Sequence, residues 1–246
     1  MSVLGEPTMT GMDINGVLFD FEGTLVDFQW RLEPGETELR NALAALGFDR
    51  SQLERESYAT MWNRAVKDAE ERRRAELAAK LLPIYDRYDR DALSRWALRE
   101  DAVELLRRLR RAGLALGIVS NVGREALGRA VRRFGLDTLV HVVFSRNDVT
   151  LMKPAGEGIR AAAQALGVPV NEVLMVGDSR ADILAARAAG ARVAIIAGGE
   201  SDPATIALTP PDFLFGRLLE VEGLVVASRP AGEERSVRPW RAKGPA

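Results

Sequence analysis

The feature that most constrains this chain is a regular alternation between short apolar runs and helical segments. The apolar runs are GVLF (16–19), ALGIVS (115–120), VVFS (142–145), VLMVG (173–177) and RVAII (192–196), with a weaker run at DFLF (212–215). Because each run is continuously apolar and is bounded by turn-forming residues, it predicts a parallel strand covered on both faces. Segments with helical apolar spacing lie between the later runs, at 101–113, 123–135, 154–167 and 179–190. This alternation predicts a doubly wound α/β sheet.

One connection in this pattern is far longer than the others. Residues 27–99 show no strand pattern and contain long charged helical stretches, such as residues 50–82. An ordinary connection between a strand and its following helix needs far fewer residues. We therefore expect a helical subdomain over residues 27–99, inserted into an α/β core formed by residues 14–26 and 100–222.

The ends of the chain and its net charge bear on where the protein is located and what it binds. Residues 1–13 and 229–246 have no apolar periodicity, which predicts disordered tails. The net charge of -1 gives no indication of a nucleic-acid partner. No apolar run approaches the roughly 18 to 20 residues of a membrane helix, and the N-terminus lacks the features of a secretory signal. We expect a cytoplasmic protein that binds neither nucleic acid nor membranes, and the sequence does not distinguish a monomer from a homodimer.

Two absences narrow the chemistry that the chain can perform. It has no Cys, which excludes disulfides, Cys nucleophiles and thiolate metal sites. Its single His, His141, excludes a multi-His zinc site and argues against a Ser-His-Asp arrangement. In an enzyme of this composition, Asp and Glu must carry most of the proton and metal chemistry.

Polar residues follow the predicted strands at their carboxyl ends, where open parallel α/β sheets bind ligands. They are Asp20 and Glu22 after the first strand, Ser120 and Asn121 after the second, Lys153 beyond the third, and Asp178, Ser179 and Asp182 after the fourth. Carboxylates without His or Cys suit Mg²⁺, which prefers oxygen ligands. A lysine, a hydroxyl and free amides at a helix start suit a phosphate. Together they suit phosphoryl transfer, for which a carboxylate nucleophile that forms an aspartyl-phosphate is chemically reasonable.

Four of these stretches resemble, in order, the motifs of the haloacid dehalogenase-like hydrolase superfamily. They are DFEGTL (20–25), SN (120–121), KP (153–154) and GDSRAD (177–182). SN and KP carry no weight alone, whereas four motifs in order, each following a predicted strand, form a specific signal. The sequence around the last two resembles the phosphoglycolate phosphatase-like branch. The resemblance implies a Rossmann-like core whose helical insertion is a cap that closes over the site and selects the substrate.

The resemblance also implies a role for each motif residue. Asp20 would be the nucleophile and a metal ligand, Glu22 the acid/base with its backbone carbonyl on the metal, and Lys153 a cation that neutralises the phosphate and Asp20. The residues around the phosphoryl group would be Thr24, which would orient Asp20, with Ser120, Asn121 and Lys153. The Mg²⁺ site would comprise Asp20, Glu22, Asp178 and Asp182, the last as a ligand or a support. The implied activity is Mg²⁺-dependent hydrolysis of a small phosphomonoester, such as phosphoglycolate, through an aspartyl-phosphate on Asp20.

Glu22 departs from the pattern of the family's phosphatases, which have Asp at this position. Glu22 could do the same work, although its extra methylene extends it by roughly 1.5 Å, and such a displacement can cost roughly a hundredfold in rate. Alternatively, the site is shaped to suit Glu, or the protein is a catalytically weak phosphate-binding scaffold. We favour the first two interpretations because every other expected group is present. A sugar-phosphate mutase shares nearly all of these motifs and stays the alternative among enzymes.

Overall fold

The computed structural model describes residues 13–226, and its centre is one sheet of six parallel strands. The strands are β1 (Gly16–Phe19), β2 (Ala115–Val119), β3 (Val142–Phe144), β4 (Val173–Gly177), β5 (Arg192–Ile196) and β6 (Phe213–Phe215). Their order in the sheet is β3-β2-β1-β4-β5-β6. The predicted doubly wound α/β sheet is confirmed, and it includes β6, which the weaker apolar run at 212–215 predicted. The predicted disordered tails, apart from Asp13, lie outside the described residues.

The burial of the strands follows their place in the sheet. Every residue of β1, β2 and β4 is buried, as their continuous apolar runs predict. The prediction of two covered faces is wrong for β3 and β6, which are only partly buried, and Leu214 in β6 is 59% exposed. These two strands form the edges of the sheet, where a strand has a neighbour on one side only.

A helical insertion lies between β1 and β2 in the chain. Its helices are α1 (Leu32–Ala45), α2 (Arg50–Leu53), α3 (Tyr58–Val66) and α4 (Glu71–Leu93). The helical stretch predicted over residues 50–82 is therefore interrupted twice. Helix α3 begins after Ser57, whose side chain accepts a hydrogen bond from Thr60 N and so caps the start of a new helix. The insertion has its own buried cluster, which includes Leu39, Met61 and Leu81.

The remaining helices cover the sheet. They are α5 (Ala102–Arg111), α6 (Arg124–Arg133), α7 (Glu157–Leu166), α8 (Arg180–Ala189), α9 (Pro203–Leu208) and α10 (Glu220–Val226). Apolar side chains of α5, α6 and α10 pack with one face of the sheet, and those of α7 and α8 pack with the other. Within the described range, no helix combines the length and the apolar character needed to cross a membrane.

The chain order of the strands reverses at β1. This strand pairs with β2 on one side and with β4 on the other. Open α/β sheets form a crevice at the carboxyl ends of the strands that flank such a reversal. The fold therefore places the residues that follow β1, β2 and β4 around one crevice.

Candidate active site

A buried lysine links two carboxylates at the centre of this crevice. Lys153 Nζ lies 2.7 Å from Asp20 Oδ1 and 2.6 Å from Asp182 Oδ1. Burial alone would lower the pKa of Lys153, but the adjacent Asp182 and Asp20 raise it above its ordinary value. Burial raises the pKa of Asp20 to about 6, although Lys153 opposes this shift. The structure thus brings the predicted nucleophile and the predicted cation into direct contact.

Asp182 is held by the start of α8 as well as by Lys153. Its Oδ2 accepts hydrogen bonds from Ser179 Oγ at 2.7 Å, Ser179 N at 3.1 Å and Asp178 N at 3.2 Å. Ser179 is the N-cap of α8, and Asp182 completes a capping box with it. Because both oxygens of Asp182 already have partners, this residue is better placed to support the site than to ligate an ion directly.

Asp178 faces Asp20 from the end of β4. Its Oδ1 accepts a hydrogen bond from Thr24 Oγ1 at 2.9 Å, and its Oδ2 accepts one from Glu200 N at 2.5 Å. Thr24 therefore orients Asp178, whereas the sequence led us to expect that it would orient Asp20. The turn after β1 can approach this closely because Gly23 has a φ of 87° and no side chain, and a Cβ there would overlap the Asp178 carboxylate.

The three aspartates form a group that suits a divalent cation. Asp20, Asp178 and Asp182 are buried, and each offers a carboxylate oxygen within 4.8 Å of the others. Burial, together with Asp182 and Asp20, raises the pKa of Asp178 well above its ordinary value. Lys153 is the ammonium group in contact with this cluster, so three carboxylates are balanced by one positive charge when all are ionised. A hard cation with oxygen ligands would offset the remaining negative charge.

Ser120 and Asn121 follow β2 and border the same crevice. The Asn121 side chain donates from Nδ2 to the Lys153 carbonyl at 3.1 Å and accepts at Oδ1 from Lys153 N at 3.0 Å. Its side chain therefore fixes the backbone that carries Lys153. Ser120 is 5% exposed, and its Oγ accepts a hydrogen bond from Val122 N at 3.2 Å.

Glu22 is held by both connections between the core and the insertion. Its Oε1 accepts hydrogen bonds from Gln29 N at 2.8 Å, Trp30 N at 2.7 Å and Trp96 Nε1 at 2.8 Å. Burial raises the pKa of Glu22 to about 8, although these three donors oppose the shift. The acid is therefore mostly protonated at neutral pH. All three hydrogen bonds go to Oε1, and Glu22 lines the crevice.

Glu200 is a site residue that the sequence analysis missed. It lies in the loop after β5 and lines the crevice with Asp20 and Lys153. Burial, together with Asp182 and Asp20, raises the pKa of the Glu200 carboxyl to about 8. A Cβ at Gly199 would overlap the Asp178 carboxylate, so the loop needs glycine there in order to approach. The Gly198-Gly199 pair at the end of a predicted strand was the signal in the sequence that could have pointed to this loop.

The insertion supplies the aromatic wall of the crevice. Its aromatic lining residues are Phe28, Trp30, Tyr58 and Tyr85. Asp89 of α4 lies beside them and accepts hydrogen bonds from Trp30 Nε1 at 3.2 Å and from Gly123 N at 2.8 Å. Arg146, in the loop after β3, pairs with Asp89 at 2.7 Å. No local sequence pattern predicts this pair, because its members lie far apart in the chain and meet only in the folded protein.

Asn63 on α3 holds the loop that carries Lys153. Its Nδ2 donates to the Met152 carbonyl at 2.8 Å, and its Oδ1 accepts from Met152 N at 2.8 Å. Met152 is 1% exposed and belongs to the buried cluster of the insertion. The insertion is thereby attached to the residue that precedes Lys153.

Replacing Asn63 with alanine is expected to lower the free energy of unfolding by about 2 to 3 kcal/mol, because two buried backbone groups of Met152 lose their partner. Urea unfolding of the variant beside the wild-type protein measures this change. Asn41→Ala is the matched control, since Asn41 makes an exposed hydrogen bond with Arg50, and it is expected to cost less than about 0.5 kcal/mol. Equal effects of the two substitutions would contradict the role given to Asn63.

Comparison with known proteins relates this geometry to one family. A family model described as a haloacid dehalogenase-like hydrolase matches residues 14–190. A protein named pyrophosphatase PpaX from Bacillus velezensis is 25% identical over 215 residues, which are 87% of this chain and 97% of that protein.

Solved structures with this fold include a putative haloacid dehalogenase-like hydrolase from Bacteroides fragilis. Its TM-score is 0.60 at 23% identity, over 85% of this chain and 99% of that one. A predicted phosphoglycolate phosphatase from Haemophilus somnus 129pt has a TM-score of 0.60 at 22% identity, over 87% of this chain and 99% of that one. At these identities, the structural comparisons support the fold.

Proposed function

We propose a reaction on the premise that this chain belongs to the haloacid dehalogenase-like hydrolase family and is a hydrolase of phosphoric esters. The proposed reaction is Mg²⁺-dependent hydrolysis of a small phosphomonoester metabolite through an aspartyl-phosphate on Asp20. Its main support is the contact of Lys153 with Asp20 and Asp182, next to Asp178, at the crevice where β1 and β4 end. In this arrangement a carboxylate nucleophile, a phosphate-neutralising ammonium and oxygen ligands for a cation share one site.

The proposed chemistry has two steps. First, a carboxylate oxygen of Asp20 attacks the phosphorus atom, the bond between phosphorus and the ester oxygen breaks, and Glu22 gives its proton to the departing oxygen. Second, a water molecule attacks the phosphorus atom of the aspartyl-phosphate, Glu22 takes a proton from that water, and the bond between phosphorus and Asp20 breaks. Inorganic phosphate leaves, and both carboxyl groups return to their starting states. The raised pKa of Glu22 supports its role as the proton donor.

The aspartate group would hold the metal ion. The proposed ligands are the carboxylates of Asp20 and Asp178 and the backbone carbonyl of Glu22, with Asp182 beside them as a support. When bound, Mg²⁺ supplies positive charge that stabilises the transferring phosphoryl group and helps to orient it. Lys153 supplies a second positive charge in contact with Asp20.

We further propose that residues 27–99 form a cap that closes the site and selects the substrate. The aromatic wall and Glu22 support this role, because the insertion supplies the first and holds the second, and both line one crevice with Asp20. The names of the relatives make pyrophosphate and phosphoglycolate the first natural compounds to test.

Phosphate release from a panel of phosphate compounds, most of them phosphomonoesters, tests this function. The panel contains p-nitrophenyl phosphate, phosphoglycolate, pyrophosphate and hexose phosphates, each assayed with Mg²⁺ and with excess chelator. We expect release over many turnovers, a loss of roughly a hundredfold or more with the chelator, and recovery when Mg²⁺ is restored. Release that is unchanged by the chelator would contradict the metal dependence. Isomerised sugar phosphate without release would indicate a mutase, and no turnover on any ester would indicate a phosphate-binding protein.

A further inference from the structure

The charged groups that line the crevice bear on which charge the leaving group of the substrate can carry. Two of the lining residues, Lys153 and Arg146, are cationic. Lys153 already contacts Asp20 and Asp182 and is committed to the phosphoryl end of the site. Within the described lining of the crevice, Arg146 is therefore the cation left to recognise the remainder of the substrate.

The charge of Arg146 is already balanced within the protein. Its side chain is 1% exposed, and Nη2 lies 2.7 Å from Asp89 Oδ2 and also pairs with Asp86. Nη1 donates to the Asn121 carbonyl at 3.1 Å, and the guanidinium lies 5.1 Å from the centre of the Tyr85 ring. Two carboxylates thus face one guanidinium. Among the described residues that line the crevice, a second anionic group on the substrate would meet no cation that is free to pair with it.

One nitrogen of the Arg146 guanidinium is left without a partner among the described residues. Its Nε is buried and has no hydrogen-bond partner among the described residues. A single N–H of this kind can donate to a hydroxyl oxygen of a ligand, but it adds no net positive charge while Asp86 and Asp89 remain paired with the guanidinium. This donor is compatible with a polar leaving group and gives no particular advantage to an anionic one.

Groups that can bind an ammonium ion lie in the same crevice. The Glu200 carboxyl lines it and, over residues 13–226, makes no hydrogen bond or salt bridge. The aromatic wall is close by, where the Trp30 and Tyr58 rings lie 4.8 Å apart between their centres. Aromatic faces attract ammonium groups, and a carboxyl oxygen accepts hydrogen bonds from them whether or not the acid is protonated.

We propose that the substrate is the phosphate ester of an alcohol that carries an ammonium group and no further anionic group. This inference rests on the proposed function and concerns the leaving group at the same site. It favours amino-alcohol phosphates over the anionic compounds that the names of the relatives suggest.

Three esters of nearly equal size test the proposal: aminoethyl phosphate, hydroxyethyl phosphate and carboxymethyl phosphate, which is phosphoglycolate. With Mg²⁺ and the full-length protein, we expect kcat/KM to fall in that order, with a difference of about tenfold or more between the first and the last. Carboxymethyl phosphate used as well as or better than aminoethyl phosphate would overturn the proposal.

Two variants test the charge balance itself. Asp86→Asn removes one of the two carboxylates that pair with Arg146. The Asp86 side chain is 42% exposed and does not line the crevice. We expect it to raise kcat/KM for carboxymethyl phosphate roughly threefold or more relative to hydroxyethyl phosphate. Asp91→Asn on the same helix changes the net charge equally but pairs with Arg31 and Arg95, and is expected to leave this ratio unchanged. Glu200→Leu, which removes the carboxyl acceptor, is expected to reduce the preference for aminoethyl phosphate.

A binding measurement separates failure of this inference from failure of the proposed function. If the wild-type protein hydrolyses neither these three esters nor any compound of the wider panel, the proposed function is wrong, and calorimetry with Asp20→Asn and Mg²⁺ then gives the order of Kd. Tightest binding of aminoethyl phosphate would support the charge preference even then. Equal or tighter binding of carboxymethyl phosphate, or no binding of aminoethyl phosphate, would overturn it.

Discussion

Replacing Asp20 with asparagine is expected to lower phosphate release from p-nitrophenyl phosphate by about 10⁴-fold or more. An amide has nearly the size of the carboxylate but cannot act as the nucleophile of the proposed first step. The fold should tolerate the change, because Lys153 keeps Asp182 at 2.6 Å and the crowded group of carboxylates loses one negative charge. We therefore expect the free energy of unfolding to change by less than about 2 kcal/mol.

The control for this variant is Asp68→Asn, which removes one carboxylate from an exposed position in the insertion. It is expected to retain full activity. Steady-state assays of both variants, together with urea unfolding, separate loss of chemistry from loss of structure. An Asp20→Asn protein that is folded and keeps more than about a tenth of the wild-type rate would show that Asp20 is not the nucleophile.

Replacing Glu22 with glutamine is expected to lower kcat for an alkyl phosphate roughly 10²- to 10⁴-fold. Glutamine keeps the length of the side chain, and its carbonyl oxygen can accept the hydrogen bonds that Oε1 receives from Gln29, Trp30 and Trp96. What it loses is the proton that the leaving oxygen needs. The value of kcat falls on every ester in which hydrolysis of the aspartyl-phosphate limits turnover, because Glu22 is also the base of that step. The value of kcat/KM reports the first step alone, and its loss should be much smaller on p-nitrophenyl phosphate, because p-nitrophenolate leaves without protonation. Equal losses of kcat/KM on the two esters would contradict the role of Glu22 as general acid.

The Glu22→Asp variant addresses why this chain has Glu at the position. The three N–H groups that donate to Glu22 Oε1 come from two separate segments of the chain, and the length of the glutamate side chain allows its oxygen to reach all three. These contacts favour the interpretation that the site is shaped for Glu. We therefore expect Glu22→Asp to lose activity, by roughly tenfold or more. A gain of activity in this variant would instead support the interpretation of a weak catalyst that binds phosphate compounds.

The fold could be predicted largely from local sequence patterns. Parallel strands buried on both faces produce continuous apolar runs such as VLMVG (173–177), and these do not depend on distant residues for their recognition. The exposure of β3 and β6 could not be predicted, because it depends on which strands form the edges of the sheet. The two interruptions of the helix within residues 50–82 could not be predicted, because the helical pattern of charged residues continues across them.

The site was predictable where topology alone brings residues together. Asp20, Lys153 and Asp178 follow different strands, and the carboxyl ends of parallel strands meet at one edge. The partners of individual side chains were not predictable in this way. Glu22 and Trp96 are separated by 74 positions, and the bond between them depends on how the insertion returns to the core. The contact of Thr24 with Asp178 and the pairing of Arg146 with Asp89 likewise arise only from tertiary packing.

The most direct test of the account is to trap the phosphorylated carboxylate during turnover. The protein would be mixed with Mg²⁺ and p-nitrophenyl phosphate, quenched, and treated with sodium borohydride, which reduces an aspartyl-phosphate to homoserine. Peptide mass spectrometry would then locate the homoserine. The account predicts it at position 20, dependent on the ester and absent from the Asp20→Asn variant. Sustained turnover with Asp20 unmodified, or with homoserine at Asp178 instead, would contradict it.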